Sequence, residues 1–109
     1  MRKLTAVLGV ILMGMPRILC AAEVGDPGRG LVYAKKVCAV CHAVEAGDKF
    51  SPTMMAPTFD AVAGTPGMNE RALVVWLQSS DHGSMPNLML ASEDRDDVVA
   101  YIMSLRAQK

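Results

Sequence analysis

The stretch Cys38-Ala39-Val40-Cys41-His42 decides how the rest of this 109-residue chain is read. Two thiols at i and i+3 sit on neighbouring positions of one helical turn, and an imidazole follows the second directly. This spacing is the signature of covalent haem attachment. Both thiols add to the vinyl groups of one porphyrin, and the adjacent imidazole meets the iron from one side. Three other chemistries compete for the same residues. An exported cysteine pair can close a disulfide. A thioredoxin-like pair belongs at the end of a strand in a βαβ pattern, and no such pattern is visible around Cys38. Zinc needs four ligands, and beyond Cys38, Cys41 and His42 only the distant His82 is available.

Upstream of the motif, Asp26-Pro27 followed by Gly30 to Val37 predicts a first helix that ends at the cysteines. Asp26 is placed to cap it, and Pro27 suits its first turn. Earlier still, the chain changes character. Arg2 and Lys3 precede an apolar run from Leu4 to Met15, and Ala21-Ala22 supply small residues for a cut before Glu23. Residues 1–22 therefore read as a cleaved export signal. The uncharged run ends at Pro16 and Arg17 follows, which is short for a spanning anchor of about 18 residues or more. A lipid attachment at Cys20 is weaker, because Leu19 stands where a small residue is wanted. No membrane span is expected to remain after cleavage.

Removing the leader sharpens the composition. The whole chain is 51% hydrophobic with zero net charge. Residues 23–109 carry 8 cations and 11 anions, a net charge of −3, and hold only Cys38 and Cys41 as cysteines. Balanced charge and high apolar content exclude a disordered tail. With no Lys/Arg cluster, nucleic acid is not an expected partner. A domain this small is marginal without a staple, and a covalent cofactor supplies one.

Downstream, Pro52, Pro57 and Pro66 with Gly47, Gly64 and Gly67 predict a wrapped loop over residues 43 to 68, with at most a short helical turn at Phe59 to Ala63. Asn69 caps a helix running to about Ser79, with Leu73, Trp76 and Leu77 on one face. Ser92 is expected to cap a last helix whose first turns hold Glu93, Asp94, Asp96 and Asp97, acids that favour the helix dipole. Val98, Tyr101, Ile102 and Leu105 make its buried stripe. No run alternates over several residues, so no sheet is expected. The fold class is all-α, with three to five short helices.

Residues 23–109 contain six methionines, most of them expected to be core filler. Met85 stands apart. It lies among turn-formers in Asp81-His82-Gly83-Ser84-Met85-Pro86-Asn87, 43 residues after His42, far enough for the chain to wrap round a porphyrin. Pro86 biases it toward extended backbone, presenting the thioether.

With Cys38-x-x-Cys41-His42, Met85-Pro86 and a terminal helix centred on Tyr101, residues 26 to 107 resemble the small class I c-type cytochromes of the bacterial periplasm. The resemblance implies the cytochrome c fold wrapped around one haem c, bound covalently through Cys38 and Cys41, with residues 23–109 as a monohaem domain. It implies His42 and Met85 as axial ligands. It also implies a proline carbonyl facing the far ring nitrogen of His42, with Pro57 the best match and Pro52 second. Such a bond fixes the ring and its basicity. Trp76 is a candidate donor to a haem propionate, with core packing the competing role. His82 is a weaker alternative axial ligand. One position departs from the family: Ala34 stands where many members carry an aromatic, with Tyr33 beside it, although Gly30 allows a close crossing against Tyr101.

Histidine and thioether ligation saturates the iron and raises its potential. The expected function is periplasmic electron transfer by a non-enzymatic monomer that docks transiently to a donor dehydrogenase and to an acceptor oxidase or reductase. Two alternatives stand beside it: a haem subunit held permanently in such a complex, and a sensor or enzyme with a displaceable methionine. Net charge −3 points to a partner with a basic patch, whereas Lys35, Lys36 and Lys49 read as a solvated face.

Overall fold

The computed structural model describes residues 24–79, 85 and 89–108. The leader of residues 1–22, with Cys20, and His82 and Pro86 lie outside them. Four α-helices are present: α1 (Pro27–Val37), α2 (Phe59–Gly64), α3 (Glu70–Gln78) and α4 (Ser92–Ser104). Short 3-10 turns follow α1 at Cys38–Val40 and α4 at Leu105–Gln108. Among the described residues there is no strand.

Local chemistry starts three of the helices. The Asp26 carboxylate accepts from the Arg29 N–H at 2.8 Å, and Pro27 opens α1 with a φ suited to a first turn. Thr58 Oγ1 accepts from Ala61 N–H at 3.1 Å, and Asn69 Oδ1 accepts from Ala72 N–H at 2.9 Å. The fourth differs from the sequence expectation. Ser92 is already helical, and Ala91, with no side-chain acceptor, occupies the cap. Glu93 and Asp94 in its first turn supply the negative charge that favours this helix end instead.

Packing is dominated by α1 against α4. Gly30 lies so close to α4 that an added Cβ would overlap the Asp97 carbonyl and come within 2.8 Å of Tyr101 Cβ. Ala34, one turn later, is fully buried. The two small residues form a groove in which α4 lies. Ala34, where many family members carry an aromatic, is buried in this groove. Tyr33 packs at the edge of the core instead.

The polar half of the crossing is Asp97. It was expected only as one of the acids near a helix start, but it is buried. Its carboxylate accepts from the Asp26 N–H at 2.6 Å and from Arg29 Nε and Nη2 at 2.8 and 3.0 Å. Those bonds, the Arg29 pair first, hold the Asp97 carboxyl below the usual carboxylate range. The expected stripe of Val98, Tyr101, Ile102 and Leu105 is buried, and Val99 and Ala100 are buried beside it. This central helix is therefore covered on more than one face, with α1, α2 and α3 all packing on it. Arg106 ties the chain end to α2 by donating from Nε to the Ala63 carbonyl at 2.6 Å. A cation at a helix C-terminus meets carbonyls that lack partners inside the helix.

Candidate functional site

The five-residue motif closes as one tight turn at the end of α1. The Cys38 carbonyl accepts from both Cys41 N–H at 3.1 Å and His42 N–H at 2.9 Å. Both sulfurs are unbridged and partly buried. Burial pushes the Cys38 thiol up to about 11, so it is a neutral thiol at pH 7. A redox or nucleophilic cysteine needs the opposite shift. Among the described residues no strand precedes the pair either, which leaves the thioredoxin-like reading without support.

The loop after the motif is strapped back onto it. Thr53 N–H donates to the Cys41 carbonyl at 3.1 Å, Ala43 N–H donates to Ser51 Oγ at 3.0 Å, and Phe59 N–H donates to the Ala43 carbonyl at 2.9 Å. Gly47, at φ +85°, turns the loop, and its N–H donates to the Asp60 carboxylate at 2.7 Å. The consequence falls on His42. Its Nδ1 lies 2.7 Å from the Pro57 carbonyl. A carbonyl only accepts, so Nδ1 carries the proton and Nε2 keeps its lone pair for a metal. The ring also packs 5.5 Å from Phe59, which lies 6.3 Å from Tyr101. Tyr101 then donates its hydroxyl to the Val44 carbonyl at 2.5 Å. One chain of aromatic contacts thus runs from α4 to the imidazole.

Cys38, Cys41 and His42 face a cavity of about 480 Å³. That size lies in the usual range for a bound cofactor, roughly 300–1,000 Å³. Its wall includes Phe59, Leu73, Val98 and Ile102, and among the described residues no Asp, Glu, Lys or Arg lines it. Two thiols, one imidazole with a free Nε2 and an uncharged apolar wall are the donor set and surroundings that haem c requires. The residues fit the group.

The main site residues expected from sequence are on this wall, while His82 lies outside the described residues. Met85 and Trp76 line the cavity with Cys38, Cys41 and His42, and Pro57 lines it while meeting His42. Trp76 lies on α3 and lines the cavity, one turn after the buried Leu73. Sequence reasoning passed over Met55 and Met68, which also line the cavity. Nothing local marks them, because the loop from 43 to 68 carries no periodicity that would aim a side chain inward. Thr53 was missed for the same reason.

An all-helical domain with a cysteine pair and a histidine on an apolar cavity defines a haem-binding class of protein, and sequence comparison agrees. The cytochrome c family matches residues 27–106, and the chain belongs to that family. It is similar to cytochrome c-552 of Bradyrhizobium diazoefficiens, at 35% identity over 86 residues, covering 79% of this chain and 81% of that protein. No solved structure matches. The cofactor is a covalently bound haem c, and the protein is a haem c electron carrier.

Proposed function

We propose that the chain is an exported, periplasmic electron-transfer protein that holds one haem c through Cys38 and Cys41, with His42 and Met85 as the axial ligands. Haem c supplies an iron that alternates between ferric and ferrous states, one electron at a time. The protein's own residues do the rest. The Pro57 carbonyl holds the Nδ1 proton of His42 and so fixes both tautomer and ring orientation. The apolar wall excludes water, which limits charge reorganisation around the centre. Trp76, on the cavity wall, is the proposed donor to a propionate.

The observation that carries this reading is that His42 and Met85 line one cavity while His42 Nδ1 is committed to Pro57. With both axial positions filled by side chains, no position is left for a substrate, so the proposed role excludes enzymatic turnover. Export is supported by the charged, apolar and small-residue order of residues 1–22. Among the described residues no helix is long and apolar enough to cross a membrane. Donor and acceptor are redox proteins docked transiently, and the carrier is proposed to act as a monomer.

Intact mass of the exported protein with a ferric and ferrous spectrum tests the proposal. The expected result is an 87-residue chain plus one haem, with a methionine–iron charge-transfer band that Met85→Ala abolishes and that Met55→Ala and Met68→Ala keep. Loss of the band in Met55→Ala or Met68→Ala instead moves the ligand to that residue. Rapid carbon monoxide binding by the ferrous protein at neutral pH overturns the closed-site role.

A further inference from the structure

His42 is held at its ring and at its main chain, and both holds come from one returning segment, residues 51–59. The ring meets the Pro57 carbonyl, 2.7 Å from Nδ1, and the Phe59 ring, 5.5 Å away. The main chain is held at the next residue. Ala43 is buried, and both of its backbone groups are bonded to the same segment. Its N–H donates to Ser51 Oγ at 3.0 Å, and its carbonyl accepts from Phe59 N–H at 2.9 Å. Pro57 and Phe59 make these hydrogen bonds with backbone atoms. Ser51 makes its bond with a hydroxyl, so here the side chain itself matters. Pro52 follows and biases Ser51 toward extended backbone. Ser51 is half-buried and lies off the cavity wall, so any effect it has on the iron passes through His42.

We infer that Ser51 is a positioning residue for electron transfer: by accepting from Ala43 N–H it sets the peptide plane after His42 and keeps Nδ1 in register with the Pro57 carbonyl. The inference rests on His42 being an axial ligand. The His42 N–H is already bonded to the Cys38 carbonyl at 2.9 Å. Rotation of the His42–Ala43 peptide is the freedom that the Ser51 bond removes. Without the hydroxyl, a buried N–H loses its acceptor, and pairing it again requires that peptide to turn. Turning it shifts the His42 Cα, and with it the ring, relative to Pro57. The potential depends on that register. A carbonyl that accepts from Nδ1–H raises the basicity of the imidazole. A more basic ligand favours ferric iron over ferrous. Weakening the bond therefore moves the couple toward the ferrous state. Ser51 and Pro57 lie on one segment, so a single hydroxyl sets both the main chain and the ring partner of the ligand.

The test compares Ser51→Ala, Ser51→Thr and Asp97→Asn with the parent, all haem-loaded. Two quantities are read: the ferrous-to-ferric ratio at one fixed solution potential, and the exchange rate of the His42 Nδ1 proton by nuclear magnetic resonance of the ferrous protein. Ser51→Ala should raise the ratio by about threefold, a fraction of the roughly 10–100-fold effects seen when a direct partner of a metal-bound histidine is removed. It should speed Nδ1 exchange by about tenfold. Ser51→Thr keeps the hydroxyl and should restore both. Asp97→Asn weakens the α1–α4 crossing instead and should change neither, which separates positioning from a general loss of stability. A measurement on the parent alone covers a Ser51→Ala chain that fails to fold. There, Ala43 N–H and His42 Nδ1–H should open together, with protection factors agreeing within about threefold. Parent values of ratio and exchange in Ser51→Ala overturn the inference. So does an Ala43 N–H that exchanges freely while Nδ1–H stays protected. His42→Ala tests the reading underneath: a parent-like low-spin spectrum in that variant overturns ligation by His42, a result distinct from a silent Ser51.

Discussion

Tyr101, in the last turn of α4, donates its hydroxyl to the carbonyl of Val44, two residues beyond His42 and 57 positions away along the chain. Both residues are buried. Tyr101 is thus both core packing and a fastener for the loop that carries the histidine. In Tyr101→Phe the ring remains but the Val44 carbonyl loses its donor in a dry site. The expected cost is about 1–3 kcal/mol, the price of an unsatisfied buried acceptor. Each kcal/mol should lower the melting temperature by roughly 4–8 °C in a domain of this size. Calorimetry of the haem-loaded protein checks it, and an unchanged melting temperature would show that water replaces the hydroxyl.

Gly30 makes the second prediction. Alanine is a better helix former than glycine, so an exposed site would gain from the change. Here the new methyl group meets the Asp97 carbonyl and Tyr101 Cβ, backbone and core that cannot rotate away. Overpacking of this kind costs about 1–3 kcal/mol, which outweighs the propensity gain of about 1 kcal/mol or less. Gly30→Ala should therefore unfold at lower denaturant than the parent. Gly28→Ala, near only the Asp26 side chain, serves as the control that should not.

Asp97 governs the acid limb of stability. The Arg29 guanidinium, then the Asp26 N–H, hold its carboxyl below the ordinary range. A carboxylate with a lowered folded-state pKa contributes stability that is fully present above its unfolded value of about 3.9. That contribution disappears as pH falls through the lower folded value. Denaturant midpoints should drop between about pH 4 and pH 2 in the parent. Asp97→Asn should start lower at pH 7 and lose less over that window. Equal slopes for the two proteins would mean that Asp97 is not the titrating group.

Attachment through two cysteines predicts a graded loss. Cys38→Ala and Cys41→Ala should each retain haem through denaturation by a single thioether, and the double variant should lose it. Mass spectrometry of the denatured proteins separates the cases. Haem retained covalently in the double variant would move the attachment elsewhere.

What could be read from the chain alone was what short-range chemistry dictates. The Cys38–His42 motif is complete within five residues. The caps at Asp26 and Asn69 depend on an acceptor three residues before a free N–H, and both were legible. The Thr58 cap obeys the same rule but was hidden by the prolines around it. Ser92 shows the limit of such patterns, since a good capping residue lies one position inside the helix it was expected to start.

Sequence by itself determined the helical class, the haem-binding motif and the periodic face of the last helix, because each is set by residues within a turn or two of one another. Only the tertiary structure decided where the polar and aromatic groups find their partners. It buried Asp97 against Arg29, 68 positions away, and opened the α1–α4 groove at Gly30 and Ala34. It brought Met55, Met68, Met85 and Trp76 to the same wall. Those contacts arise from how whole helices pack, and packing depends on volumes and vectors that no local spacing encodes.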